Sequence, residues 1–252
     1  MRARFEGDGD VIVVTGGGNG IGRALARAAA QAGARVVVCD VDAAAMAALS
    51  DVPGLTTARL DVADRAEVLS VLGEVERRFG RIDGLVCAAA IQPRSPVHEM
   101  DPVAWQRVLR VNLDGVVWCY QAVVSGMIAR RSGSIIAFTS GLAQQGWPGA
   151  SAYAASKAAL IAFAKSAAKE IAPHRVRFNL VAPGVIDTPQ YREANAGADD
   201  ARWRASVGVG QPEDVVGTLM FLLSDQATMT ASIISRDFAY AAQETEGRAG
   251  ER

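Results

Sequence analysis

The chain has 252 residues, half of them apolar and about a fifth charged, with a formal net charge of -1. That balance is ordinary for a soluble globular protein and argues against nucleic acid as the main partner, since phosphate binding needs a basic surplus. Met1–Asp10 has no apolar signal core and no apolar run approaches bilayer length, so a soluble, cytoplasmic protein with no membrane partner is expected.

In chain order, short β-branched runs alternate with longer Ala-rich stretches. Val11–Thr15, Val36–Asp40, Thr57–Asp61, Leu85–Ala88, Ser134–Thr139 and Arg177–Ala182 are predicted as strands, apolar almost throughout and so buried on both faces. Ile21–Ala32, Arg65–Phe79, Pro102–Ile128 and Ala152–Ile171 lie between them, each long enough for a crossover helix. Asp64 and Asp101 stand where helix N-caps are wanted, and Pro102 suits a first turn. A last short strand fits Ile233–Ile234. Repeated β–α alternation predicts an α/β fold, a doubly wound parallel sheet with helices on both faces. With no linker and no repeat, the chain reads as one domain over residues 1–252. Its core spans about 11–236, a polar insertion over 188–210 forms a substrate lid, and 244–252 is a flexible tail. Cys39, Cys87 and Cys119 are odd in number and share no CxxC spacing, so neither a disulfide framework nor a metal site is expected.

The first strand runs into Thr15-Gly16-Gly17-Gly18-Asn19-Gly20-Ile21-Gly22 and then a helix. Such glycines let the backbone turn tightly and approach a pyrophosphate, which a helix N-terminus stabilises with its free N–H groups and dipole. The next strand ends in Asp40, 18 residues beyond Gly22, where a ribose-binding acid belongs. A carboxylate there accepts from ribose hydroxyls and repels a 2′-phosphate, and no Arg adjoins it, which favours NAD over NADP. Asp42 reads instead as a cap for a following helix.

With Tyr153-xxx-Lys157, Ser140 after the fifth strand, Asn112 in Val111-Asn112-Leu113, Asp61-Val62 and Pro183-Gly184-Val-Ile186-Asp-Thr188, the chain resembles the short-chain dehydrogenase/reductase family over about Val11–Leu223. The resemblance implies a Rossmann-type fold and an oxidoreductase acting between NAD(H) and a secondary alcohol or ketone. It also implies a homo-oligomer, tetramer or dimer, built through the long helices beside the fifth strand. By the same resemblance the catalytic residues are Asn112, Ser140, Tyr153 and Lys157. Lys157, one turn after Tyr153 on the same helix face, lowers the phenol's pKa and holds the nicotinamide ribose. Tyr153 exchanges the proton, Ser140 orients the substrate oxygen, and Asn112 completes a proton relay. Cofactor contacts fall to Gly16, Gly18, Asn19, Gly20, Ile21, Gly22, Asp40, Asp61, Val62, Ala88, Ala89, Tyr153, Lys157, Pro183, Gly184, Ile186 and Thr188.

The chain departs from the family twice. Cys87-Ala88-Ala89-Ala90 replaces the usual Asn-Asn-Ala-Gly after the fourth strand, which leaves a Cβ close to the cofactor and predicts a small local shift. Met229–Phe238 replaces the usual glycine-rich C-terminal segment. Loops after strand ends predict a pocket for a small-molecule substrate at Gln92, Gln144, Trp147, Tyr191 and Trp203, suited to a cyclic or aromatic compound. Arg192, Arg202 and Arg204 read as a solvated face or as partners for an acidic substrate group. An alternative function is a nucleotide-binding sensor or scaffold that has kept the fold and lost turnover.

Overall fold

The computed structural model describes residues 4–197 and 208–236. Among them β1 (Val11–Thr15), β2 (Arg35–Asp40), β3 (Leu55–Arg59), β4 (Gly84–Cys87), β5 (Gly133–Phe138), β6 (Val176–Ala182) and β7 (Ile233–Ser235) pair into one sheet. Every neighbouring pair is parallel, in the order β3-β2-β1-β4-β5-β6-β7. Parallel strands need crossovers, and the helices that supply them cover both faces, so β1 and β4 are buried along their whole length. Strand order reverses between β1 and β4, the switch point at which open α/β sheets form a binding crevice outside the carboxyl ends of their strands.

The helices are α1 (Gly20–Gln31), α2 (Ala43–Ala47), α3 (Arg65–Phe79), α4 (Pro102–Leu109), α5 (Gly115–Arg130), α6 (Leu142–Gln145), α7 (Ser151–Ile171), α8 (Pro189–Ala194) and α9 (Glu213–Leu223). One core layer joins Leu72 of α3, Cys119 of α5 and Leu160 of α7 to the sheet, and the other joins Leu25 of α1 and Leu219 of α9. In the first layer Phe178 of β6 is fully buried, stacked on Tyr120 at 5.9 Å and edge-on to Phe163 at 6.1 Å. A buried ring of this kind contributes about 2–3 kcal/mol from area alone.

Side chains set several helix starts. Asp64 accepts from the N–H of Ala66 and Glu67 at 2.9 and 3.1 Å, Asp101 from Val103 and Ala104, and Asp42 from Ala45. The helix α1 is different: no side chain caps it and its first turn holds no acidic residue.

The structure departs from the sequence reading at three places. β3 starts two residues earlier, at Leu55. The single helix expected over Pro102–Ile128 is two, α4 and α5, joined by a wide π turn at Arg110–Asp114. At this joint a Cβ on Gly115 would come within 2.8 Å of Val62, so the helix presses against the β3–α3 turn, and the extra residue carries Asn112 into the core. The insertion after Thr188 begins as the ordered helix α8, capped by Thr188 through Tyr191 N–H at 3.1 Å. Within the described residues the expected last strand is present as β7, paired to β6. The tail expected at 244–252 lies outside the described residues.

Candidate active site

The glycine turn sits between the carboxyl ends of β2 and β4. Gly16 N–H donates to Cys39 O at 2.8 Å, and Ala88 N–H to Thr15 O at 2.9 Å. Gly16 has φ +66, and a Cβ there would collide with the Ala89 backbone. A Cβ on Gly18 would come within 2.8 Å of Asp40 Oδ2, the atom that accepts from Gly18 N–H at 2.9 Å. Asp40 Oδ1 accepts from Asp42 N–H at 3.1 Å, and Asn19 Nδ2 donates to Asp42 Oδ2 at 3.3 Å. The turn is thus a cradle that a side chain would fill, in front of an uncapped helix start with an acid at its rim. Those features fit the pyrophosphate and ribose of a dinucleotide. Across the crevice, Thr188 Cγ2 lies 3.0 Å from where a Gly20 Cβ would stand. Ile186 is buried and bridges to Gly210, while Pro183 and Gly184 present backbone at the end of β6.

On the other side of the crevice, β5 ends at Phe138 and delivers Ser140, and α7 carries Tyr153 and Lys157 one turn apart. Tyr153 and Ser140 stand close enough there for the hydroxyl to act on the phenol, while Ser140 Oγ accepts from Leu142 N–H at 3.2 Å. Burial pushes the phenol above its ordinary value, while the Ser140 hydroxyl and the charge of Arg94 pull it down. Lys157 Nζ donates to Phe138 O at 2.8 Å and lies 5.6 Å from the Tyr153 ring centroid. It is 3 % exposed, and burial lowers its pKa to about 8.

Asn112 is fully buried. Its Oδ1 accepts from Ile91 N–H at 2.8 Å, and its two amide hydrogens go to Ile91 O at 2.9 Å and Ser156 Oγ at 3.2 Å. Ser156 in turn donates to Tyr153 O at 2.7 Å. The Asn112 side chain is therefore saturated, and it meets Tyr153 only through Ser156 and the helix backbone. Asp61 accepts from Ala63 N–H at 2.9 Å, and Val62 is buried against α5. In the altered segment, Cys87 at the end of β4 is a buried free thiol beside Cys119, while Ala88 and Ala89 back the glycine turn.

Of the predicted substrate residues, Gln92 and Tyr191 are half-buried, Gln144 is exposed and Trp147 is 44 % exposed. Trp203, Arg202 and Arg204 lie outside the described residues. Arg192 is exposed and forked onto Asp187 at 2.7 and 2.9 Å, so it belongs to the surface. Arg94 lies within the stretch Gln92–Ser95 that the sequence places along the pocket, but nothing there singles it out, because a lone arginine in a polar loop carries no signal until its surroundings are known. Among the described residues no group of three metal-ligating side chains comes together, and no helix is long and apolar enough to cross a membrane.

A switch-point crevice, a glycine cradle and a tyrosine–lysine helix at its edge define a dinucleotide-dependent oxidoreductase. A family model described as short chain dehydrogenase matches residues 10–199. The chain belongs to that short-chain dehydrogenase family, whose members work with nicotinamide cofactors. It is 37 % identical over 238 residues to the 3-oxoacyl-(acyl-carrier-protein) reductase of Thermotoga maritima, covering 91 % of this chain and 97 % of that one. It is 36 % identical over 240 residues to the cis-4-hydroxycyclohexanecarboxylate dehydrogenase of Sinomonas cyclohexanicum, covering 92 % and 96 %. The crystal structure of levodione reductase superposes with a TM-score of 0.86 at 27 % identity, covering 92 % and 97 %.

Proposed function

We propose that this oxidoreductase moves a hydride between NAD(H) and a secondary alcohol or ketone of cyclic or aromatic kind, with Tyr153 as general acid and base. The observation that carries the reading is the Tyr153 phenol beside Ser140 at the carboxyl ends of the strands, with Lys157 one helical turn behind. NAD(H), when bound, supplies the hydride acceptor or donor. In oxidation Ser140 holds the substrate oxygen and Tyr153 takes its proton, and in reduction Tyr153 returns it. A lysine ammonium has three N–H groups, and Lys157 uses one on Phe138 O, leaving the others for ribose hydroxyls. Its charge then favours the phenolate. Asn112 acts by position, holding Ile91 and the Tyr153 turn.

The glycine turn and the start of α1 take the pyrophosphate, Ala88 and Ala89 line its far side, and Asp61 and Val62 flank the adenine. Pro183, Gly184, Ile186 and Thr188 hold the nicotinamide end. The Asp40 carboxylate at the rim supports NAD, since a 2′-phosphate there would meet like charge. A ring substrate is supported by Trp147 and Tyr191 and by the cyclohexane substrate named for one relative. Half-buried Trp118, Ile161 and Phe163 on α5 and α7 support a dimer or tetramer formed through those helices.

The test is calorimetric titration of the purified protein with NADH and NADPH, followed by turnover of Tyr153→Phe. NADH is expected to bind the more tightly. Tyr153→Phe is expected to bind NADH within a few-fold of wild type and to lose about 10²–10⁴ in turnover. Tighter NADPH binding would remove Asp40 from the ribose site, and wild-type turnover in Tyr153→Phe would overturn the mechanism.

A further inference from the structure

The loop leaving β4, residues 88–96, carries one charged side chain, Arg94. It stands where three segments from the carboxyl ends of β4, β5 and β6 converge. Its own loop pairs with the turn before α7, Ser95 N–H donating to Gly149 O at 2.9 Å. Arg94 Nε donates to Ala194 O at 3.3 Å, and Nη2 to Asn195 Oδ1 at 3.4 Å, both at the end of α8. These acceptors are neutral and the bonds are long. Nη1 is buried with no partner. Among the described residues no carboxylate pairs with Arg94, whereas Arg130, Arg192 and Arg236 each have one, in Glu76, Asp187 and Asp214. A guanidinium cannot shed its proton to escape burial, so an unmatched one is costly where the fold alone is concerned. This one is also close enough for its charge to act on the Tyr153 phenol. Both stand at the carboxyl ends of the strands, Arg94 on the loop leaving β4 and Tyr153 in the first turn of α7, whose preceding turn that loop pairs with.

We propose that Arg94 is a specificity-determining residue that receives a carboxylate of the substrate, so that the enzyme acts on a secondary hydroxy acid and its keto acid. The inference rests on Tyr153 being the proton-transferring group. A carboxylate offers two coplanar oxygens that match the guanidinium fork, and it supplies the partner Nη1 lacks. The carboxylate is a spectator in the chemistry. On oxidation the carbinol C–H bond gives its hydride to NAD⁺ and the O–H proton goes to Tyr153, leaving a ketone with the acid unchanged. The anchored acid fixes which carbinol along the ring or chain reaches Tyr153.

The test uses positional isomers of hydroxybutanoate, hydroxypentanoate and hydroxycyclohexanecarboxylate, each beside its primary amide, with wild type, Arg94→Gln and Arg94→Lys. Wild type is expected to favour the best acid over its amide in kcat/KM by on the order of tenfold to a hundredfold, the range for hydrogen bonds to a charged group, mainly through KM. Arg94→Gln is expected to bring that ratio to about one, and Arg94→Lys to keep part of it. The ratio is the readout because loss of Arg94 also moves the Tyr153 phenol, which affects acid and amide alike. NADH binding by each variant checks folding, and Arg94→Lys carries the comparison if Arg94→Gln does not fold. Equal loss for acid and amide in the variants would make Arg94 a strut for α8 and overturn the inference. Wild-type turnover of uncharged alcohols without preference for acids would overturn it while leaving the Tyr153 reading intact. Oxidation of no carbinol of either kind by protein that binds NADH would overturn that reading and the inference with it.

Discussion

Arg177 and Arg94 sit at opposite edges of one sheet, both partly buried and both with guanidinium pKa values pulled down by burial. Arg177, at the start of β6, donates to the carbonyls of Leu222, Leu223 and Ser224 at 2.7, 3.4 and 3.0 Å. Ser134 Oγ donates to Leu222 O at 2.7 Å. These carbonyls end α9, where helix geometry leaves them without partners and the dipole favours a cation. Arg94 meets the end of α8 in the same way, yet one of its nitrogens has nothing to bond. An unmet N–H alone does not mark a site, since Arg130 Nε and Arg236 Nη1 are also buried without a partner; Arg94 differs in lacking a carboxylate as well, whereas those two hold Glu76 and Asp214. The base of the sheet holds a cavity of about 300 Å³ that includes Asp10, Asp83 and Asp225. Asp83 there is already matched, by Val11 N–H at 2.9 Å and by the Arg81 fork.

If the distinction is sound, removing a saturated group costs stability, and removing an unsaturated one costs function. The largest stability effect is expected at Asn112, which is saturated although it stands beside the site. Asn112→Ala would strand the Ile91 N–H and C=O and release Ser156, for a loss of about 3–4 kcal/mol in denaturant unfolding. A loss below about 1 kcal/mol would show that water replaces the amide and would break the comparison. Arg177→Met comes next. It keeps the side-chain stem and removes three donors, with an expected loss of about 2–3 kcal/mol and unchanged NADH affinity.

The same distinction explains what the sequence could disclose. β1 was legible to the residue, and β2, β4, β5 and β6 to within one, because buried parallel strands are unbroken apolar runs. β3 was read late because Leu55–Arg59 is only partly buried and its pattern is weak. The π turn at Arg110–Asp114 left no trace, since one extra residue in a helix leaves every local preference helical. The glycine turn shows itself between a strand and a helix, and the family resemblance singles out Ser140, Tyr153 and Lys157, which the fold sets after β5 and on α7. Arg94 could not be singled out, because its lack of a partner exists only once the end of α8 is brought over the β4 loop.

Lys157 gives the smallest and most diagnostic effect. Burial takes its pKa from 10.5 to about 8, so the folded protein gives up this proton at lower pH than the unfolded chain does. Between those values the unfolded chain binds more protons, and stability rises with pH on account of this group. Below about pH 8 the folded state bears the whole cost of the buried charge, at most about 3 kcal/mol. The hydrogen bond to Phe138 O offsets part of it. Lys157→Met is therefore expected to be about 1 kcal/mol more stable than wild type at pH 7 while losing turnover, with that advantage shrinking from pH 8 towards 10.5. Cys119, held protonated by its neighbour Cys87 and by burial, and Cys39, pushed up to about 12 by burial, lower the stability above about pH 9, where their thiols ionise in the unfolded chain. They do so in both proteins, so the difference between the two unfolding series isolates the lysine. A Lys157→Met protein less stable than wild type, with a gap that does not change with pH, would place Lys157 beside Arg177 as a group the fold requires. The opposite result would mean that the protein keeps a buried charge its fold would be more stable without, as a residue retained for the cofactor and the phenol should be.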